Sequence, residues 1–276
     1  MPTAALVLAL LSAVSSAVWN LLVKQSCDTE AVTAVALAIG VILFSPALAF
    51  GHISLAAWPY MVASAALELT YFTLLAAAYR RAELSLVFPL ARGLAPVLVL
   101  LIGLVALNDR ASAGELAGVL LVAVGATAVR GIRLAGGFTD TGMALLIAVC
   151  IAGYTLVDKH GVTLASPAAY LEVVMALLVL PYLAFVARSR GLQPLRSELR
   201  PRTAVIGIGI IGGYALVLYG LRLAAAAPVA AVRESSVVIG TALAAIVLRE
   251  RVGPARFCGA CLVAAGVTVL AFAAGS

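Results

Sequence analysis

The chain has 276 residues, of which 64% are hydrophobic and 11% charged, with a formal net charge of +6. A water-soluble domain carries about 25% charged residues, so too few charges exist here to cover a solvated surface, and the high hydrophobicity excludes disorder. Apolar runs about twice the length of an outer-membrane strand exclude a transmembrane barrel, which leaves spanning helices.

About 20 apolar residues cross the hydrocarbon as a helix. On that measure the sequence predicts ten spans, at 3–23, 31–50, 57–79, 84–107, 113–130, 139–158, 167–187, 203–223, 228–248 and 255–274. The first has small residues at Ser15–Ala17 but no basic leader segment, so it reads as a retained span rather than a cleaved signal. The third carries Glu68 near its middle, with Ser64, Tyr71 and Leu75 on the same face by helical spacing. In the fourth, Arg92 lies between Pro89 and Pro96 and shares a face with Ser85. Each proline removes a backbone donor, so this span is predicted to be broken. Gly131, Gly136 and Gly137 mark a break between two halves.

Further along, Ser166-Pro167, Pro228 and Pro254 suit helix starts. Glu172 falls about 7 Å from its helix start by the 1.5 Å rise and reads as interfacial. The longest loop, 188–202, holds five arginines. The ninth span carries Arg233 and Glu234, with Ser236 and Gly240 on the arginine's face. Gly114/Gly118 and Gly209/Gly213 form GxxxG pairs, read as internal helix packing first and dimerisation second. A monomer or a homodimer is expected. Cys258 and Cys261 read as small packing residues, and His52 and His160 as loop residues without metal spacing.

Two halves repeat. A shift of 141 aligns Arg81 with Arg222, Arg92 with Arg233, Asp109-Arg110 with Glu250-Arg251, and Gly118 and Gly125 with Gly259 and Gly266. A shift of 135 aligns Ala17, Trp19, Leu21 and Lys24 with Ala152, Tyr154, Leu156 and Lys159; the last pair are the only two lysines in the chain. The expected fold is an all-α membrane protein of ten transmembrane helices, built as two five-helix repeats over 1–133 and 138–276. An odd number of helices per repeat inverts the second relative to the first, a build common among secondary transporters.

Three motifs carry a resemblance. The run from Tyr79 to Pro96 (YRRAELSLVFPLARGLAP) is similar to the third-to-fourth helix region of the EamA group of the drug/metabolite transporter (DMT) superfamily. Asn108-Asp109-Arg110 and Arg249-Glu250-Arg251 resemble its Gly-Glu-Arg signature, with the glycine missing from both copies and Asp for Glu in the first. Trp19-Asn20 with Lys24 resembles the aromatic-to-lysine pattern of its first helix. The resemblance implies a central cavity lined by helices 1, 3, 4, 6, 8 and 9, and transport of a small metabolite. It also implies cytoplasmic termini. The charge rule reads the other way: the odd-numbered loops hold 13 of the 18 Lys and Arg residues, which places the N-terminus outside.

A charge at mid-bilayer costs about 2.5–3.5 kcal/mol on insertion scales. Glu68, Arg92, Arg233 and Glu234 therefore read as substrate-binding residues facing a common cavity, the arginines holding an anionic group and a glutamate holding an ammonium or a proton. The competing reading is ion pairing that fixes helix packing: Arg92 with Glu68, and Arg233 with Glu234 or Glu172. Trp19, Tyr71, Tyr154 and Tyr214 are candidate aromatic walls, against ordinary packing. Lys24 and Lys159 read as snorkelling side chains.

The sequence has no GxxxxGK[ST] loop, HExxH or GxSxG motif, so no enzyme activity, cofactor, metal or nucleic-acid partner is expected. The expected function is a secondary active transporter, an exporter of a small zwitterionic or anionic metabolite such as an amino acid. It would work by alternating access in the plasma (inner) membrane, with Glu68 or Glu234 available to couple a proton. The alternatives are an intramembrane lipid-modifying enzyme and a non-transporting structural subunit.

Overall fold

The computed structural model describes every residue except 81–83, 107–110, 131–137, 248–252 and 274–276. The described residues are helical apart from short connections and one isolated bridge, Ile53 to Ala165. Long helices run over α1 (Thr3–Lys24), α2 (Thr29–Phe44), α4 (Trp58–Arg80), α5 (Leu84–Ala106) and α6 (Ala113–Arg130). They continue with α7 (Phe138–Leu164), α8 (Pro167–Arg190), α10 (Pro201–Leu223) and α13 (Pro254–Phe272). Two short helices, α3 (Ala47–Phe50) and α9 (Leu192–Ser197), sit in connections, and the ninth predicted span is a pair, α11 (Ala226–Arg233) and α12 (Ser236–Val247).

Among the described residues five segments are long and apolar enough to cross a membrane: Thr3–Lys24, Thr141–Leu164, Pro167–Arg190, Pro201–Leu223 and Ala226–Leu243. Shorter apolar helices include Thr29–Phe44 and Phe257–Phe272. The outer surface exposes Ile42, Phe50, Val105, Leu180, Ile246 and Phe272. In water such a surface would drive aggregation; against acyl chains it has no such penalty.

Three predicted spans differ from the observed helices. The second, expected over 31–50, stops at Phe44. Pro46 has no N–H to offer the carbonyl of Ile42, and the Ser45 hydroxyl donates to that carbonyl instead, at 2.9 Å. The fourth, expected to break at its prolines, is continuous over Leu84–Ala106. The break falls in the ninth, at Glu234-Ser235. There the amides of Glu234 and Ser235 donate to the carbonyls of Ala231 and Val232, three residues back, so the turn is tighter than α-helical.

Helix ends follow local chemistry. Asp28 caps α2 by accepting from the amides of Glu30 and Ala31 at 3.1 and 3.0 Å. Ser166 precedes Pro167 as expected, but its hydroxyl makes no cap; it accepts from the His52 amide at 2.7 Å. His160, expected in a loop, belongs to α7 and its ring meets Tyr60 at 4.7 Å. Glu172, expected at the interface, is 1% exposed, because its face of α8 turns inward. Cys258 and Cys261 lie on the outer face of α13 rather than in a packing seam.

The helices pack reciprocally. α6 lies along α13, α1 along α10 and α4 along α7; α5 meets α7 as α1 meets α11 and α12. Glycine allows the closest approaches. A Cβ at Gly125 would stand 2.6 Å from the backbone nitrogen of Val263. Both GxxxG pairs face inward: Gly209 and Gly213 meet Trp19 and Ser15 of α1, and Gly114 and Gly118 meet Ala273 and Leu270.

Candidate functional site

A cavity enclosing about 1020 Å³ of space between atoms, counted out to its mouth, lies among α1, α2, α4, α5, α7, α8, α10 and α11. Its position along each helix fixes the side on which it opens. From α1 it takes Ser16, Trp19, Asn20 and Val23, all in the second half; from α4 it takes Glu68 at the middle and Tyr71, Phe72 and Leu75 beyond it. α10 runs the opposite way and contributes Ile210 and Tyr214 from its middle turns. The cavity therefore reaches from mid-helix to the end where α1 turns into α2. Thr29, Glu30 and Thr33 line that end.

Among the described residues the other end is held closed by two sets of contacts. The Ser166 amide donates to the His52 carbonyl at 2.8 Å beside the Ile53–Ala165 bridge. The Lys159 ammonium donates to the carbonyls of Leu221 and Ala224, at 2.6 and 2.9 Å, where α10 ends. Lys159 thus caps a helix end from within the bundle, which is not the snorkelling expected of it.

At the inner end, α5 brings in Arg92 and the break after α11 brings in Arg233 and Glu234. Arg92 Nη1 lies 3.1 Å from Glu234 Oε1, with both side chains buried. The expected pairing of Arg92 with Glu68 does not occur; the partner comes from the other half of the chain. The tight turn at Glu234-Ser235 explains this, since it ends α11 where the carboxylate can point at α5. Glu234 holds Arg92 and is not itself among the cavity-lining residues, whereas Arg92 and Arg233 are. The Arg233 guanidinium sits over the Tyr214 ring, 5.0 Å from its centroid. Glu68 is 4% exposed, and its Oε1 has no hydrogen-bond partner among the described residues.

Seven of the eight residues expected from the sequence therefore border one space: Trp19, Glu68, Tyr71, Arg92, Tyr154, Tyr214 and Arg233. The tyrosines form a continuous wall, with Tyr71 to Tyr154 at 6.3 Å and Tyr154 to Tyr214 at 5.9 Å, both edge-on. Ser85 and Pro89, expected on Arg92's face, fall where side chains lie outside the described residues. So do both Gly-Glu-Arg-like triplets.

Two features escaped the sequence reading. Asp158, fully buried on α7, accepts from the Tyr170 hydroxyl at 2.9 Å and from the Tyr214 hydroxyl at a short distance. It sits beside Lys159, and a second ionisable residue in the last third of an apolar run is the signal for it in the sequence. Glu30 lines the mouth and takes a two-pronged contact from Arg190, Nη2 to Oε1 at 3.1 Å and Nε to Oε2 at 3.2 Å. α2 and α8 also join the wall, through Thr33, Met175 and Tyr182, beyond the helices the resemblance implied. Among the described residues no group of His, Cys, Asp and Glu could hold a metal ion.

A bundle of apolar helices around a cavity that holds the buried Arg92 and the half-buried Arg233, taken with the family match that follows, is that of an integral, multi-pass membrane transporter of the DMT type. The sequence matches the EamA-like transporter family over residues 3–131 and again over 141–272, and the chain belongs to that family. No curated protein matches it by sequence. The fold is similar to that of a protein of known crystal structure, with a TM-score of 0.77 at 17% identity, covering 98% of this chain and 99% of that one. At that identity the likeness speaks for the fold alone.

Proposed function

We propose that this chain is a secondary active transporter that exports a small zwitterionic or anionic metabolite, such as an amino acid, across the plasma (inner) membrane. The observation that carries the reading is the convergence of Glu68, Arg92 and Arg233 on one cavity walled by tyrosines. Guanidinium groups at Arg92 and Arg233 suit a carboxylate, Glu68 suits an ammonium, and the rings suit an apolar side chain between them.

Alternating access follows from the halves, read as inverted five-helix repeats over 1–133 and 138–276 with ten spans. The reciprocal packing supports that reading, since α1 against α10 has its counterpart in α7 against α4, and α5 against α7 in α11 and α12 against α1. Exchange of the two half-conformations would seal the α1–α2 end and open the end now held by Lys159 and the His52–Ser166 contact. Arg92–Glu234 ties the halves at the inner end, where such an exchange pivots. Proton coupling runs through Glu68.

The test is tracer flux into proteoliposomes across amino acids and organophosphonates. Wild-type flux should be saturable, and Glu68→Gln and Arg92→Ala should each reduce it by about tenfold or more, the effect of losing one charge-assisted contact worth about 1.5–3 kcal/mol. Flux unaltered in both variants would overturn the site.

A further inference from the structure

We infer that Lys24 is the latch of the open end: when the two halves exchange conformations, its ammonium closes the mouth by donating to the last carbonyls of α4, as the Lys159 ammonium now donates to those of α10. This rests on the transporter reading above and names the contact that holds its second state.

A helix end supplies the chemistry. The last four carbonyls of an α-helix have no amide partner within it, and they form the negative pole of its dipole. An ammonium from a neighbouring helix answers both needs. At the closed end Lys159 Nζ does so, 2.6 Å from the Leu221 carbonyl oxygen and 2.9 Å from that of Ala224, where α10 finishes. The acceptors are backbone atoms, so no particular side chain is needed at the end of the helix that is held.

The matched elements stand at the mouth. Lys24 and Lys159, the only lysines in the chain, coincide in the repeat of the two halves. α4 and α10 are each 23 residues long, and laid end on end they set Tyr71 on Tyr214 and Ala78 on Leu221. The acceptors matched to those of Lys159 therefore lie in the last turn of α4. α1 and α4 both run toward the mouth and line the cavity there through Val23 and Leu75. Lys24 is the final residue of α1, and its side chain is exposed.

The far sides of these helices are tied alike at the two ends. At the mouth, Arg202, near the start of α10, donates to the Leu22 carbonyl and to Gln25 Oε1 at the end of α1. At the closed end the Tyr60 ring, near the start of α4, meets His160 of α7 at 4.7 Å. The near sides differ. α7 packs on α10, whereas among the described residues α1 and α4 do not pack on each other. Closing that gap brings Lys24 to α4 while Lys159 gives up α10. One charge-assisted contact is then exchanged for another of the same kind, which keeps the two states close in energy, and loss of either lysine favours the state that the other one holds.

Double electron–electron resonance of the full chain in lipid nanodiscs tests this. One spin label sits on Cys27, just past α1, and one on Ala77→Cys near the end of α4, in a background without Cys150, Cys258 and Cys261. Two distances are expected across the mouth. Lys159→Met should raise the ratio of the shorter to the longer by about tenfold or more, the effect of losing charge-assisted hydrogen bonds. Adding Lys24→Met should cancel that rise, and adding Lys24→Arg, which keeps a cation, should preserve most of it. A rise that Lys24→Met leaves standing, or that Lys24→Arg abolishes equally, overturns the inference. A merely structural lysine would instead lower the melting temperature in Lys24→Met and leave the distances unmoved, which also overturns it. If Lys24→Met does not fold, Lys24→Gln makes the same comparison. The outcomes separate the two readings: a second distance that ignores Lys24 defeats the latch alone, and a single distance in every variant defeats the exchange of the halves along with it.

Discussion

Arg92 and Glu234 stand 142 positions apart in sequence, yet Nη1 of one lies 3.1 Å from Oε1 of the other inside the bundle. The pair joins α5 to the break between α11 and α12, so a contact at the inner end of the cavity also links the two matched halves of the chain.

Removing one member of a buried pair leaves the other uncompensated, at a cost of about 3–5 kcal/mol. Arg92→Met and Glu234→Leu should each lower the melting temperature in detergent. The double variant should recover most of that loss, because an apolar pair leaves no orphan charge, while flux stays at the level of Arg92→Met. A double variant less stable than either single one would refute the pairing.

Lys159 holds the sealed end by two bonds to the last carbonyls of α10. Charge-assisted hydrogen bonds are worth about 1.5–3 kcal/mol. Lys159→Met should therefore loosen that end, seen as faster amide exchange at the α10–α11 junction and in the His52–Ser166 contact. Exchange unchanged at both places would show that the lysine does not secure the seal.

Thr33 faces the open half of the cavity. In a background without Cys27, Cys150, Cys258 and Cys261, Thr33→Cys should react with a membrane-impermeant thiol reagent applied from the α1–α2 side. Saturating amounts of a transported probe should slow that reaction. Labelling from the opposite side alone would reverse the assigned mouth.

Gly125 meets the backbone of α13, which cannot move aside as a side chain can. Gly125→Val should destabilise by about 1–3 kcal/mol or more, as overpacking does. Gly142, with nothing within 4 Å of a Cβ, should accept Ala without loss. Equal melting temperatures for the two variants would contradict the close seam between α6 and α13.

Membrane residence, the helical class and the two-part build were legible without coordinates, because hydrophobic content, run length and repeated charges are properties of the linear chain. The same holds for Arg92, Arg233 and Glu68: a charge in an apolar run is conspicuous, since lipid makes it costly. Partnership was not legible. Which carboxylate meets Arg92 depends on a tight turn at Glu234-Ser235, and Asp158 became visible only when Tyr170 and Tyr214 closed on it from two other helices. Pro89 and Pro96 pointed to a break in the fourth helix that neighbouring packing overrides, whereas the break in the ninth has no proline to announce it. One-dimensional pattern reports what each helix must hide from lipid; only the crossing of helices decides what it hides it against.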